Sequence, residues 1–334
     1  MGLGVGIVGC GLIGRKRAAA LAGHRLVACT DLLPERAGAL AAATGATAVG
    51  GWRELLTLPG LDVVIVATTN DSLADISLGA LEAGRHVLVE KPAARTVGEL
   101  DTVAAAARRH GPLVRVGFNH RFHPALRKAH ELFRQDAIGE LMFVRGRYGH
   151  GGRLGYDREW RADPRRSGGG ELIDQGVHLI DLAGWFLGDF ESVVGSAHTY
   201  YWQMPVDDNV FLMLRTRPGQ MAFLHASCTE WKNLFSLEVY GRRGKLHVEG
   251  LGGSYGTERV ACYRMLPELG PPDTTIWEFP RGDDSWRAEF AEFAEDIRLN
   301  RQPEPGLTEA RKALSIVEQV YQASGYPGGA KVQA

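Results

Sequence analysis

Cysteine is scarce in this chain. Cys10, Cys29, Cys228 and Cys262 are the four among 334 residues, and they are scattered with none of the spacings of a metal site. No metal is expected, and Cys10 and Cys29, in or beside apolar runs, read as buried thiols of a reducing compartment. No apolar run is long enough to span a membrane. Neither sign of charge is in excess: 38 Lys and Arg stand against 39 Asp and Glu, a net charge of −1. That balance argues against a nucleic-acid surface or a polybasic membrane face. There is no internal repeat, and no low-complexity tail beyond the short Gly325–Ala334 end. A strand-like run starts almost at Met1, so no signal peptide is expected. The expectation is a cytoplasmic protein, and the length suggests two domains.

What is present begins with Gly9-Cys10-Gly11-Leu12-Ile13-Gly14. A short apolar strand, Gly4 to Val8, precedes it, and an Ala-rich helix follows. Strand, Gly-x-Gly-x-x-Gly turn and helix form the dinucleotide fingerprint. Gly9 permits the tight turn, Gly11 lets a pyrophosphate approach the backbone, and Gly14 lets the helix lie close to the strand. Leu12 and Ile13 lie within the same turn, so the cofactor-binding set is Gly9, Gly11, Leu12, Ile13 and Gly14. A second strand, Leu26 to Thr30, ends at Asp31, placed to accept the ribose hydroxyls of the adenosine half. The 2′-phosphate of NADP would sit beside that carboxylate. Two unit charges about 4 Å apart repel by roughly 4 kcal/mol at an intermediate dielectric, less with solvent and Arg36 nearby. NAD is therefore expected over NADP; the plainer alternative is that Asp31 caps a turn before Pro34.

Further on, Leu61–Ala67 and His86–Val89 are apolar strands, and Leu113–Gly117 closes the set. Leu73–Ala83 and Val97–Arg109 read as helices between them. Alternating strands and helices predict a doubly wound parallel sheet, a Rossmann domain over residues 1–120. After Phe118 the rhythm changes. Pro124–Phe133 reads as a helix. Strand-like runs follow at Leu141–Tyr148, Ser192–Tyr200, Val210–Thr216, Met221–Ser227, Leu234–Tyr240, Lys245–Val248 and Thr275–Phe279. They predict a mainly antiparallel, open-faced sheet in a second domain, 121–334, for substrate binding and oligomerisation. Leu172–Phe186 and Trp286–Leu299 are expected as its helices, and a last helix, about 307–322, as one that packs back on the first domain. Phe211 and Met213 alternate with Val210, Leu212 and Leu214, so both sheet faces are apolar and one suits a subunit interface.

Two places suit chemistry. Lys91, at the carboxyl end of a strand and before Pro92, can donate to a substrate oxygen, or it is a surface lysine paired with Glu90. Asp174 and His178 stand four apart in a helical run behind Gly168-Gly169-Gly170. A carboxylate one turn from an imidazole can orient it as a general base; a buried histidine without chemistry is the alternative. Asp181 points elsewhere and suits packing or a salt bridge.

Several motifs together resemble the glucose–fructose oxidoreductase / inositol dehydrogenase / MocA family. They are Gly9–Gly14, the Thr68-Thr69-Asn70 turn, His86–Pro92, Gly117–Phe122 and Gly169–His178. The resemblance covers most of the chain and implies a NAD-dependent oxidoreductase acting on a ring hydroxyl of a sugar or nucleotide sugar. An inositol or cyclitol dehydrogenase, or a non-catalytic NAD-binding regulator, is the alternative. It implies Lys91, Asp174 and His178 as the catalytic trio, with Thr68, Thr69, Asn70, Glu90, Lys91 and Asn119 as cofactor-edge contacts beside Asp31 and Arg36. It also implies a homodimer or homotetramer. Where the family often has a histidine after the third glycine, this chain has Arg17. On the substrate side Tyr148, Trp160 and Arg161 join Lys91, Asp174 and His178: a tryptophan can stack on a sugar face, and an arginine can fork onto a phosphate or carboxylate, or serve only as part of a solvated basic loop.

Overall fold

The computed structural model describes residues 2–326, so most of the Gly325–Ala334 end lies outside the described residues. The chain forms two compact units, Met1–Phe118 with Trp286–Arg311, and Asn119–Ser285 with Lys312 onward.

The first unit is built on a six-stranded sheet. Its strands are β1 (Gly4–Val8), β2 (Arg25–Thr30), β3 (Thr47–Ala48), β4 (Val63–Val66), β5 (His86–Glu90) and β6 (Val114–Gly117). Their order is β3-β2-β1-β4-β5-β6, with every pair parallel. Val63, Val64, Ile65 and Val66 are all fully buried, as a strand covered on both faces requires. The helices between strands are α1 (Leu12–Ala19), α2 (Pro34–Thr44), α3 (Trp52–Leu56), α4 (Asn70–Glu82) and α5 (Val97–His110). Thr96 caps α5 by accepting from Glu99 N–H at 3.1 Å, while Glu99 accepts from Arg95 N–H. This is close to the reciprocal capping of a Thr-x-x-Glu start.

The second unit carries an eight-stranded sheet: β7 (Leu141–Gly149), β8 (Phe190–His198), β9 (Asn209–Thr216), β10 (Met221–Ser227), β11 (Leu234–Gly241), β12 (Gly244–Glu249), β13 (Glu258–Arg264) and β14 (Asp273–Phe279). The order is β14-β13-β12-β11-β7-β10-β9-β8. Only the β7–β10 pair is parallel. The seven expected strands are present, with ends moved by up to two residues. β13 was not foreseen: its Glu258, buried by His123 and Ala125, reads as loop polarity in the sequence. The helices are α6 (Pro124–Arg134), the short α7 (Pro164–Ser167) and α8 (Val177–Leu187). α6 packs on β12, β13 and β14, and α8 on β7 and β10.

Two helices complete the chain, α9 (Ser285–Leu299) and α10 (Leu307–Ser324). Sequence alone groups α9 with the second domain; the structure groups Trp286 to Arg311 with the first unit. The reason is chemical. Phe290 and Phe293 join the core of Val5, Ile7, Ile65 and Leu88. Glu289 and Asp296 meet Arg17 and Arg115, two fully buried guanidiniums, at 2.5 Å each. α10 begins in the first unit and passes to the second at Lys312.

Candidate active site

The nucleotide half is built at the carboxyl ends of β1, β2 and β4. In a sheet of this order, ligands bind at the crevice between β1 and β4. Gly9 has φ +94°, and a Cβ there would meet Ala67 O at 2.3 Å. A Cβ on Gly14 would meet Gly9 O at 1.8 Å, so α1 lies as close to β1 as only glycine allows. Gly11 caps α1, and its α-hydrogens face space: the nearest atom to an added Cβ, Arg36 Nη1, is 4.0 Å away. That opening at unpaired N–H groups fits a pyrophosphate. Leu12 is exposed and Ile13 half-buried.

Asp31 closes the turn. One oxygen accepts from Cys10 N–H at 2.6 Å and the other from Leu33 N–H at 2.9 Å. Arg36 is exposed one turn into α2. After β4, Thr68 is half-buried, Thr69 caps α4 and bonds Asp71 at 2.5 Å, and Asn70 is buried in the first turn. After β5, Glu90 accepts from Arg17 Nε at 2.6 Å, and half-buried Lys91 follows. These residues fit NAD by their geometry: of the three glycines in the loop, an added Cβ would find room at Gly11 alone, where a diphosphate would approach.

Asn119 falls in the second unit, where its amide donates to Ser285 Oγ at 2.9 Å. There, the helix carrying Asp174 and His178 starts irregularly. Leu172–Gly176 is a π-helical turn, with Val177 N–H reaching back to Leu172 O; α8 follows. The four-residue spacing argument presumes 3.6 residues per turn, and this turn is wider. π-turns of this sort recur at functional sites.

The turn is clamped from below. Asp207, fully buried, accepts from Gly170 N–H at 2.9 Å, Leu172 N–H at 2.7 Å and Tyr321 O–H at 2.7 Å. A Cβ on Gly170 would meet Asp207 O at 2.0 Å. The glycine run is thus a close backbone approach that fixes where Asp174 begins its turn. Asp208 spends its carboxylate on the N–H groups of Tyr200, Tyr201 and Trp202.

His178 is buried, and the His120 ring lies against it at a centroid distance of 3.7 Å. His120 also meets the Tyr148 ring at 5.1 Å, and Tyr148 meets Tyr255 at 5.4 Å. Burial pushes the Tyr148 phenol far up, with Tyr255, Asp174 and Glu171 adding to it, so it stays protonated. Asp174 accepts from Arg161 Nε at 2.9 Å, and its charge binds the Arg161 proton more tightly. Trp160 lies under that guanidinium at 4.7 Å. Burial keeps His150 neutral more readily than a free imidazole, against the pull of Asp174. Asp181 is held away from this group by a forked salt bridge to Arg121, at 2.7 and 2.8 Å, as its helical angle implies.

Among the described residues, no group of three or more His, Cys, Asp or Glu could hold a metal ion, and no helix is long and apolar enough to cross a membrane. Sequence inspection did not single out Glu171, His120 or Tyr255 as site residues: His120 and Tyr255 join the group through tertiary packing, and Glu171 stands one residue before the π-turn. Glu171 carried a local signal, a carboxylate between the glycine run and the apolar pair Leu172-Ile173.

Residues 3–118 match the family model described as oxidoreductase family, NAD-binding Rossmann fold. Residues 126–247 match the GFO/IDH/MocA C-terminal domain. The chain is 27% identical over 291 residues to levoglucosan dehydrogenase of Pseudarthrobacter phenanthrenivorans, covering 73% of each. It is 32% identical over 229 residues to inositol 2-dehydrogenase 2 of Saccharopolyspora erythraea, covering 66% of this chain and 65% of that one. A solved structure of levoglucosan dehydrogenase in complex with NADH and levoglucosan superposes with a TM-score of 0.85 at 25% identity, covering 97% of this chain and 98% of the other.

Proposed function

The chain belongs to the GFO/IDH/MocA family of NAD-binding oxidoreductases, and on that premise we propose that it oxidises a ring hydroxyl of a sugar or sugar-like polyol. An imidazole nitrogen of His178 takes the hydroxyl proton. Asp174 orients and stabilises the imidazolium. The Lys91 ammonium donates to the same oxygen and stabilises the charge that develops there. Bound NAD supplies the carbon that receives the hydride. Gly9, Gly11, Leu12, Ile13, Gly14, Asp31, Arg36, Thr68, Thr69, Asn70, Glu90 and Asn119 hold or border the cofactor, and Tyr148, Trp160 and Arg161 border the substrate. The observation that carries this reading is the glycine loop and Asp31 standing at the β1 and β2 ends of a β3-β2-β1-β4-β5-β6 sheet.

The experiment is a panel of sugars, nucleotide sugars and cyclitols with NAD, followed by NADH absorbance. His178→Asn and Lys91→Ala are expected to lower turnover by about 10²–10⁴ with NAD binding retained. Unchanged turnover in both would reject these roles. The assembly is proposed to be a homodimer or homotetramer formed through the outer face of the second sheet. Four free, buried cysteines suit a reducing, cytoplasmic setting.

A further inference from the structure

We propose that the ring this protein oxidises carries no anionic group, so that neutral polyols are preferred over sugar acids, sugar phosphates and nucleotide sugars. The inference rests on the reading that His178 is the base. It is argued from the charges on the second unit around that residue.

Arginine is the side chain best shaped to hold a carboxylate or phosphate. Two, Arg161 and Arg153, stand in the ion chain that starts at Asp174, and both are paired within the protein; Arg158, Arg165 and Arg166 of the same segment are exposed. Arg161 Nε is 2.9 Å from Asp174 Oδ2, and Arg161 Nη1 is 3.6 Å from Glu159 Oε2. Arg153 Nη2 is 2.6 Å from the same Glu159 oxygen. The order Asp174–Arg161–Glu159–Arg153 is a chain of alternating sign that begins at the residue orienting the base. A substrate anion seated on Arg161 would have to draw it from Asp174, and so would disturb the catalytic pair as it bound.

A third carboxylate tips the balance further. Glu171 is 1% exposed and lies 3.8 Å from His150 Nε2. Carboxylates in the group therefore outnumber guanidiniums. The rest of the surround is phenol and imidazole. On this unit such a wall offers hydrogen bonds to hydroxyl groups and repels an added negative charge, the Lys91 ammonium being reserved for the reacting oxygen.

The test uses the full chain with matched pairs: myo-inositol against myo-inositol 1-phosphate, and D-glucose against D-glucuronate and UDP-glucose. The neutral member is expected to have a kcat/KM at least about tenfold higher. Glu159→Gln removes one negative charge from the chain. It should raise the charged-to-neutral ratio by about threefold or more while neutral turnover stays within about twofold. A charged member used as well as its neutral partner overturns the inference and leaves the dehydrogenase reading intact. A ratio unmoved in Glu159→Gln overturns the ion chain as its origin. Tryptophan fluorescence titrations with the same pairs in the presence of NADH read preference without turnover. Tighter binding of the charged members overturns the inference even if no compound forms NADH, the separate outcome that would reject the dehydrogenase reading.

Discussion

Asp31 shows how much one residue can decide. Both of its oxygens accept backbone N–H groups, from Cys10 in the glycine loop and Leu33 beyond it. The carboxylate is thereby fixed where the adenosine ribose is expected. Two changes separate its charge from its shape. Asp31→Asn keeps the shape and removes the charge, and Asp31→Ser removes the charge and shortens the side chain. Both are expected to shift the NAD-to-NADP ratio of kcat/KM toward NADP by at least about tenfold. A ratio unmoved in Asp31→Ser would mean that selectivity lies elsewhere. Asp31 was legible in the sequence because its spacing from the glycines is local. Arg17 was legible only as a departure from the family pattern. Its partner Glu289 lies 272 positions away, and no local pattern announces a contact of that span. The same holds for Arg161 and Asp174: each stood out as a residue type, but their pairing is a tertiary fact that changes what Arg161 is available to do.

At the level of elements, strands were easier to foresee than helix starts. β7 to β12 announce themselves by alternation, and β14 by its β-branched and aromatic run. The turn at Leu172–Gly176 does not, because a single five-residue π-turn is too short to change the apolar pattern of the helix that follows. The outer face of the second sheet makes a sharper point. Across it, the register aligns Val194, Met213, Phe223, Arg145, Glu238 and His247 in one row. The row turns from apolar to charged at β7. Burial would raise the Glu238 carboxyl, but hydrogen bonds from Lys245, Tyr240 and Arg145 outweigh it and bring the group from 4.5 down to about 2. A carboxyl lowered in the folded state stabilises it above the ordinary value, and the gain is lost as pH falls toward the lowered one. Glu238→Gln is therefore expected to be less stable than the parent at pH 7. The gap in urea midpoint should close between about pH 4.5 and pH 2. A gap independent of pH would show that the cluster contributes by packing alone.

For the molecule as a whole, the apolar half of that face leaves large side chains open to water. Phe223 is 48% exposed, Met213 45% and Val194 58%, and they are neighbours across the register. Contiguous apolar surface of this kind is uncommon on monomers. Light scattering at micromolar concentration is expected to give a dimer or tetramer mass. Phe223→Glu is expected to lower that mass while leaving the circular dichroism spectrum unchanged. A monomeric parent would remove the proposed interface.

The route of the chain sets a limit on how this protein can be cut and rejoined. The backbone leaves the nucleotide-holding unit at Phe118, re-enters it at Trp286 and departs again after Arg311. A gene piece ending at Phe118 would thus omit Glu289 and Asp296, the counter-charges of Arg17 and Arg115. Arg17 would keep Glu90 alone, Arg115 would lose its carboxylate, and the core that Phe290 and Phe293 complete would open to water. Such a fragment is expected to give no cooperative thermal transition, and appending residues 286–311 through a linker should restore one. Cassettes exchanged between relatives must therefore be spliced at three seams rather than one.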